Sequence, residues 1–139
     1  MTAYVDSSVL LRVIFGEVGR LATWSEIQTR VSSRLVRLEC LRTIDRARLR
    51  SALDDTEVAR RRGALFEQLE GFNLLPLEEP VFERAEDPFP TMLGSLDAIH
   101  LATALSLRSG LPDLCFATHD GELALAARAM GFQVIGSPS

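Results

Sequence analysis

Lysine is absent from this 139-residue chain, and cysteine, tyrosine and tryptophan are scarce, at two, one and one copies. Each shortage, like each missing motif, narrows what the chain is. Cys40 and Cys115 stand far apart among apolar neighbours and have no CxxC partner. Two buried free thiols in a reducing cytoplasm are therefore expected, not a disulfide framework. No apolar run approaches the ~18 residues that a membrane helix requires. Met1-Thr2-Ala3-Tyr4-Val5-Asp6 has no basic leader ahead of an apolar stretch, so no signal peptide is expected. GxSxG, P-loop and Rossmann glycine patterns are all missing, which removes support for serine hydrolase and nucleotide-binding readings.

What is present suits a globular protein. Hydrophobic residues make up 47% of the chain, too many for a disordered one. The length fits one domain, expected over residues 1–139. Net charge is −4, which argues against a generic nucleic-acid coat. The charge is uneven: positions 30–62 hold ten arginines against five acids, so the excess of acid lies elsewhere. Arginine is the better fork for phosphate, so this segment is either a solvated helical face or a contact surface for RNA or a partner.

Apolar periodicity alternates between strand and helix. Ala3–Val5 reads as a buried strand, and Val9, Leu10, Val13 and Ile14 follow at helical spacing up to Gly16. Leu21–Ile27 allows a short helix. Residues 30–33 read as a brief strand, leading into a helical stripe of Leu35, Leu38, Leu41 and Ile44. An amphipathic helix is expected over 54–70, closed by Gly71, then strand over 72–77 and a short helix over 80–85. Gly94-Ser95 offers a cap for a helix over 96–107. Strand follows at 114–117, helix at 121–130, and a last strand at 132–135. The alternation predicts a three-layer α/β/α sandwich around a mainly parallel sheet of four to five strands.

Such folds bind ligands beyond the carboxyl ends of their strands. Asp6 directly follows the first strand, and Asp120 lies three residues after Ala117. These two converge by topology alone; Glu39, mid-helix, and Asp97, in the first turn of its helix, are permitted to join them. Taken singly, Glu39 could be a surface charge and Asp97 a helix-dipole residue. Crowded carboxylates repel by ~4 kcal/mol per pair at 4 Å and an effective dielectric near 20. A cluster therefore requires raised pKa values or a divalent cation. All-oxygen donors suit Mg²⁺ or Mn²⁺ better than Zn²⁺.

Four blocks then resemble one family. Tyr4-Val5-Asp6-Ser7-Ser8-Val9-Leu10-Leu11, Ser33-Arg34-Leu35-Val36-Arg37-Leu38-Glu39, Leu96-Asp97-Ala98-Ile99-His100-Leu101-Ala102-Thr103-Ala104 and Thr118-His119-Asp120 occur in the order found in PIN domains. Within that family the chain is similar to the VapC toxins of bacterial toxin–antitoxin pairs. The resemblance implies a cytoplasmic endoribonuclease in which Asp6, Glu39, Asp97 and Asp120 are catalytic and hold one or two Mg²⁺ or Mn²⁺ ions. It implies cleavage of cellular RNA by metal-activated water, leaving 5′-phosphate and 3′-hydroxyl ends. It also implies inhibition by a cognate VapB-type antitoxin, and a homodimer. One departure is the lack of a basic residue between Pro88 and Leu96, which some relatives carry before the third block.

Ser8 and Thr118 are auxiliary candidates, through hydrogen bonds to the acids or to water, with helix capping the other role open to Ser8. His100 shares a helical face with Asp97 and reads as a core histidine or a site residue. His119 reads as a phosphate contact or a loop residue. Leu10, Leu11, Ile14, Phe15 and Trp24 are expected to form an apolar groove for the antitoxin, Trp24 its anchor, or else to be core or dimer interface. Two other functions stay open: a PIN nuclease of RNA processing or DNA handling, and a non-catalytic acidic α/β module. A response-regulator receiver needs a late lysine that this chain lacks.

Overall fold

Five parallel strands form the sheet: β1 (Thr2–Val5), β2 (Thr29–Ser33), β3 (Phe72–Leu75), β4 (Cys115–Ala117) and β5 (Val134–Ile135), in the order β3-β2-β1-β4-β5. The computed structural model describes residues 1–16, 18–50 and 53–138. The chain leaves β1 toward β2 and β3, then returns to the other side of β1 to lay down β4 and β5. The crevice beyond the carboxyl ends of β1 and β4 is thus the topological switch point. The expected α/β/α sandwich is what forms.

Among the described residues six helices cover the two faces: α1 (Ser7–Phe15), α2 (Leu35–Leu49), α3 (Asp55–Glu70), α4 (Glu79–Glu86), α5 (Ser95–Arg108) and α6 (Gly121–Ala129). Side chains alternate across β1. Ala3 and Val5 pack with Val9 and Leu10 of α1, Val36 and Cys40 of α2 and Leu65 of α3. Tyr4 points the other way, toward Leu101 of α5, Phe116 of β4 and Leu123 of α6. Both cysteines are free and buried. Among the described residues no helix is long and apolar enough to cross a membrane.

Several local expectations change. Leu21–Ile27 yields only a 3₁₀ turn at Trp24–Glu26. The buried face of α2 is Leu35, Val36, Cys40 and Ile44, whereas Leu38 is 52% exposed. Val36, Cys40 and Ile44 form a second stripe of near-helical period, and it is the one that meets α1 and α3. Ser95 does not cap α5: Gly94 occupies the cap position and makes no side-chain hydrogen bond. Leu10, Ile14 and Trp24 do not line a groove. All three are buried in the core, with Leu11 and Phe15 packed against them. Arg30 stacks over the Trp24 ring at 4.2 Å and closes it off.

Candidate functional site

The register of β1 and β4 pairs Val5 with Ala117, so the next residues, Asp6 and Thr118, emerge together at the switch point. Asp6 caps α1 by accepting from the Val9 amide at 3.2 Å. Ser8 Oγ donates to Asp6 Oδ1 and Thr118 Oγ1 to Asp6 Oδ2, both at 2.6 Å. Both hydroxyl protons are therefore committed to one carboxylate. Ser8 Oγ in turn accepts the His119 amide at 2.9 Å, and Thr118 Oγ1 the Asp120 amide at 3.0 Å. These bonds tie the two auxiliary residues expected from sequence directly to Asp6. They also hold the turn after β4.

Asp120 caps α6, its Oδ1 accepting the amides of Glu122 and Leu123. Gly136, at φ +95°, lets β5 run close beside this turn. A Cβ there would stand 2.7 Å from the Thr118 carbonyl oxygen, so a larger residue forces the turn to move. His119 is turned inward, its Nδ1 donating to the Gly136 carbonyl at 2.7 Å. That bond fixes the strand after α6 and gives no support to a phosphate contact.

Glu39 is part-buried on α2, and its Oε1 lies 2.5 Å from His100 Nε2 on α5. His100 is 1% exposed, and its Nδ1 lies 2.6 Å from the Tyr4 hydroxyl. Of the sequence alternatives for His100, the core placement is what the structure has, with the ring reaching Glu39. Tyr4 was passed over because its place in an apolar strand marks it as core; the signal for its polar end was the lone phenol beside Asp6.

Asp97 sits in the first turn of α5, part-buried. Burial raises its pKa to about 6, and the charges of Asp120, Asp6 and Glu39 push in the same direction. The other three carboxylates therefore all act on Asp97. Burial also raises the pKa of Asp6, against the bonds from Ser8 and Thr118. Among the described residues, no three His, Cys, Asp or Glu side chains already close round one point. The donor chemistry nonetheless fits a hard divalent cation: four mutually repelling carboxylates and no thiolate. Glu39 and Asp120 each have one oxygen fixed by the scaffold, at Oε1 and Oδ1, with the second oxygen still to bond.

The raised pKa of Asp97 has a definite sign for stability. Its folded value lies above the unfolded value near 3.8, so the folded state binds the proton more tightly. The metal-free protein should therefore gain stability from this group as pH falls from above 6 toward 4. Asp97→Asn, which mimics the protonated acid, should be more stable than the parent at pH 7.5 in EDTA, by about 1–2 kcal/mol. That is less than the ~3 kcal/mol of a fully buried carboxyl, because solvent screens part of the effect. Near pH 4 the two should converge. Urea unfolding at both pH values measures this; a less stable variant at pH 7.5 would contradict it.

A groove of about 280 Å³ opens beside Glu39, lined among others by Leu38, Arg42, Arg46 and Leu96. Several other arginines of the basic segment are engaged elsewhere. Arg48 pairs with Asp45, Arg60 and Arg61 with Glu57, and Arg37 and Arg62 lie over the Phe66 ring. Arg42 also touches Asp45, at 3.3 Å, on the surface, where such pairs contribute about 1 kcal/mol at most.

Comparison with known proteins identifies the family. The PIN domain family matches residues 3–129. Ribonuclease VapC47 of Mycobacterium tuberculosis (strain CDC 1551 / Oshkosh) is 36% identical over 142 residues, covering 97% of this chain and 96% of its own. Ribonuclease VapC46 of M. tuberculosis (strain ATCC 25618 / H37Rv) is 36% identical over 135 residues, covering 95% of each chain. Among solved structures, a toxin–antitoxin complex from Klebsiella pneumoniae superposes with a TM-score of 0.61 at 19% identity, over 99% of this chain and 97% of that one. That likeness concerns the fold alone.

Proposed function

We propose, from the premise that this chain belongs to the PIN-domain family, that it is a VapC-type toxin, a divalent-metal-dependent endoribonuclease acting on cellular RNA. One observation carries the reading: beyond the carboxyl ends of β1 and β4, Thr118 bonds both Asp6 and the Asp120 amide, while His100, one turn after Asp97 on α5, reaches Glu39. The ribonuclease names of relatives that match nearly end to end support it. Residues 1–139 are read as one PIN domain working in the cytoplasm.

Asp6, Glu39, Asp97 and Asp120 would hold the ion or ions, Mg²⁺ or Mn²⁺. When bound, a divalent cation supplies Lewis acidity that activates water and offsets charge on the scissile phosphate. The chain's own residues do the rest. Ser8 and Thr118 hold the Asp6 carboxylate in one orientation, and the helix-capping bonds of Asp120 fix its direction. The carboxylates keep unmatched negative charge at the centre, so RNA must be drawn in by groups on the rim. Arg42 and Arg46, beside Glu39, are placed to do this. Incubating the purified chain with cellular RNA and Mn²⁺, with and without chelator, tests the reading. Fragments are expected in the first case and none in the second.

A VapB-type antitoxin is the proposed regulator, and a homodimer the proposed assembly. The groove flanked by the half-exposed Leu38 and Leu96 offers an antitoxin apolar contacts next to the acids. Salt dependence isolates the rim arginines from the catalytic acids. Binding of a single-stranded RNA to metal-free protein should weaken linearly in log salt, by about 0.7 per neutralised phosphate. Replacing both Arg42 and Arg46 with Ala should reduce the slope by about 1.4. An unchanged slope would show that they only solvate α2.

A further inference from the structure

We propose that His100 and Tyr4 are positioning residues for Glu39, forming a buried Tyr–His–Glu chain that fixes the direction of its carboxylate. The inference rests on the functional reading above and extends it to two residues outside the acid set.

The protons can be assigned from the hydrogen bonds. The Tyr4 oxygen accepts the Ser33 amide at 3.2 Å, and its ring is packed between His100, edge-on, and Phe116, stacked at 5.2 Å. The O–H of this buried phenol needs an acceptor, and His100 Nδ1 lies 2.6 Å away. The neighbouring hydroxyls of Ser32 and Thr103 spend their own protons on the carbonyls of Val5 and Ile99. With Nδ1 accepting, the ring proton sits on Nε2, where it donates to Glu39 Oε1 at 2.5 Å. The opposite tautomer would set an imidazole lone pair against a carboxylate. An N–H facing a carboxylate oxygen makes a charge-assisted bond, one of the stronger kinds.

The chain also spans the fold. Tyr4 lies two residues before Asp6 on β1, His100 one turn after Asp97 on α5, and Glu39 on α2. A single line of bonds thus registers three of the elements that carry the carboxylates. The line ends on one oxygen of a part-exposed glutamate, leaving Oε2 for the site. Ligand-orienting partners of this kind are worth about 10- to 100-fold in metal affinity or activity.

The chain contains only two histidines, which makes the test direct. Long-range ¹H–¹⁵N correlation spectra of the ¹⁵N-labelled protein should show His100 as the neutral Nε2–H tautomer. His119, which donates to a carbonyl through Nδ1, should show the opposite tautomer. A proton on His100 Nδ1, alone or with one on Nε2, overturns the assignment whether or not any variant folds. Mn²⁺ affinity then tests the consequence. A glutamine amide reaches the Nε2 position and can still donate to Glu39; an asparagine amide reaches only the Nδ1 position. His100→Gln should bind Mn²⁺ within about 3-fold of the parent, and His100→Asn about 10- to 100-fold more weakly. Equal affinities in the two variants overturn the positioning role while leaving the metal site standing. A parent protein that binds no Mn²⁺ overturns the metal reading itself, and this inference with it.

Discussion

Asp97→Asn and Asp6→Asn should each lower RNA cleavage by at least about 100-fold while leaving a folded protein. Asparagine is the informative replacement at both positions. Asp6 is the cap of α1, and asparagine caps about as well as aspartate. Alanine there would remove the cap, at a cost of ~1 kcal/mol, and leave the Ser8 and Thr118 hydroxyls without their acceptor. A dead Asp6→Ala protein would thus confuse chemistry with folding; Asp6→Asn keeps the cap and one of the two hydroxyl acceptors, and its melt measures what the lost one costs. Asp97 has no structural bond to lose, so its amide variant should be intact and inactive. Glu39→Gln and Asp120→Asn should also impair cleavage, Asp120 less, because it would serve a second, weaker ion. Cleavage rates alongside circular-dichroism melts measure all four. Full activity in folded Asp97→Asn would remove the site assignment.

Divalent cations should stabilise the fold strongly, and protons should compete with them. A cation held by the folded cluster and not by the unfolded chain adds about 2.7 kcal/mol at a hundred times its Kd. For a chain of this length that raises Tm on the order of 10 °C. Metal binding requires ionised carboxylates, and Asp97 has its pKa raised to about 6. The stabilisation by Mg²⁺ or Mn²⁺ should therefore be full at pH 7.5 and shrink as pH falls through 6. Without metal the Asp97 contribution runs the other way, with stability rising on acidification. Thermal melts with millimolar Mg²⁺ and with EDTA, at pH 7.5 and 5, measure both signs. Asp6→Asn should abolish the metal effect. A Tm indifferent to both ions at pH 7.5 would count against a metal centre.

Much of this was legible in the sequence because local rules sufficed. An apolar strand ending in Asp6 and a second ending before Thr118-His119-Asp120 place two acids at the same end of a parallel sheet whichever strands lie between. The strand order was not legible, since periodicity does not say which strands are neighbours. Glu39 and Asp97 could join the cluster only once α2 and α5 were placed. Along α2 the expected stripe Leu35-Leu38-Leu41-Ile44 competes with Val36-Cys40-Ile44, and Leu38 is the member left exposed. Packing against α1 and α3 decides between them. Trp24 reads as a groove anchor in the sequence because it adds to more apolar bulk near the first helices than one small sheet obviously covers. Its cover comes from Arg30 and Phe72, the latter far along the chain. The Tyr4–His100–Glu39 chain joins residues 96 and 61 positions apart, which no local pattern reveals.

The central claim is that the carboxylate cluster cleaves RNA with a bound divalent cation and water as nucleophile. End-group analysis of RNA cut by the purified chain tests it most directly, in matched reactions with Mn²⁺, with EDTA, and with Asp97→Asn in place of the parent. Fragments bearing 5′-phosphate and 3′-hydroxyl ends should form with Mn²⁺ and be absent from the other two reactions. Ends bearing 2′,3′-cyclic phosphate, or cleavage that persists in EDTA or in Asp97→Asn, would contradict the account.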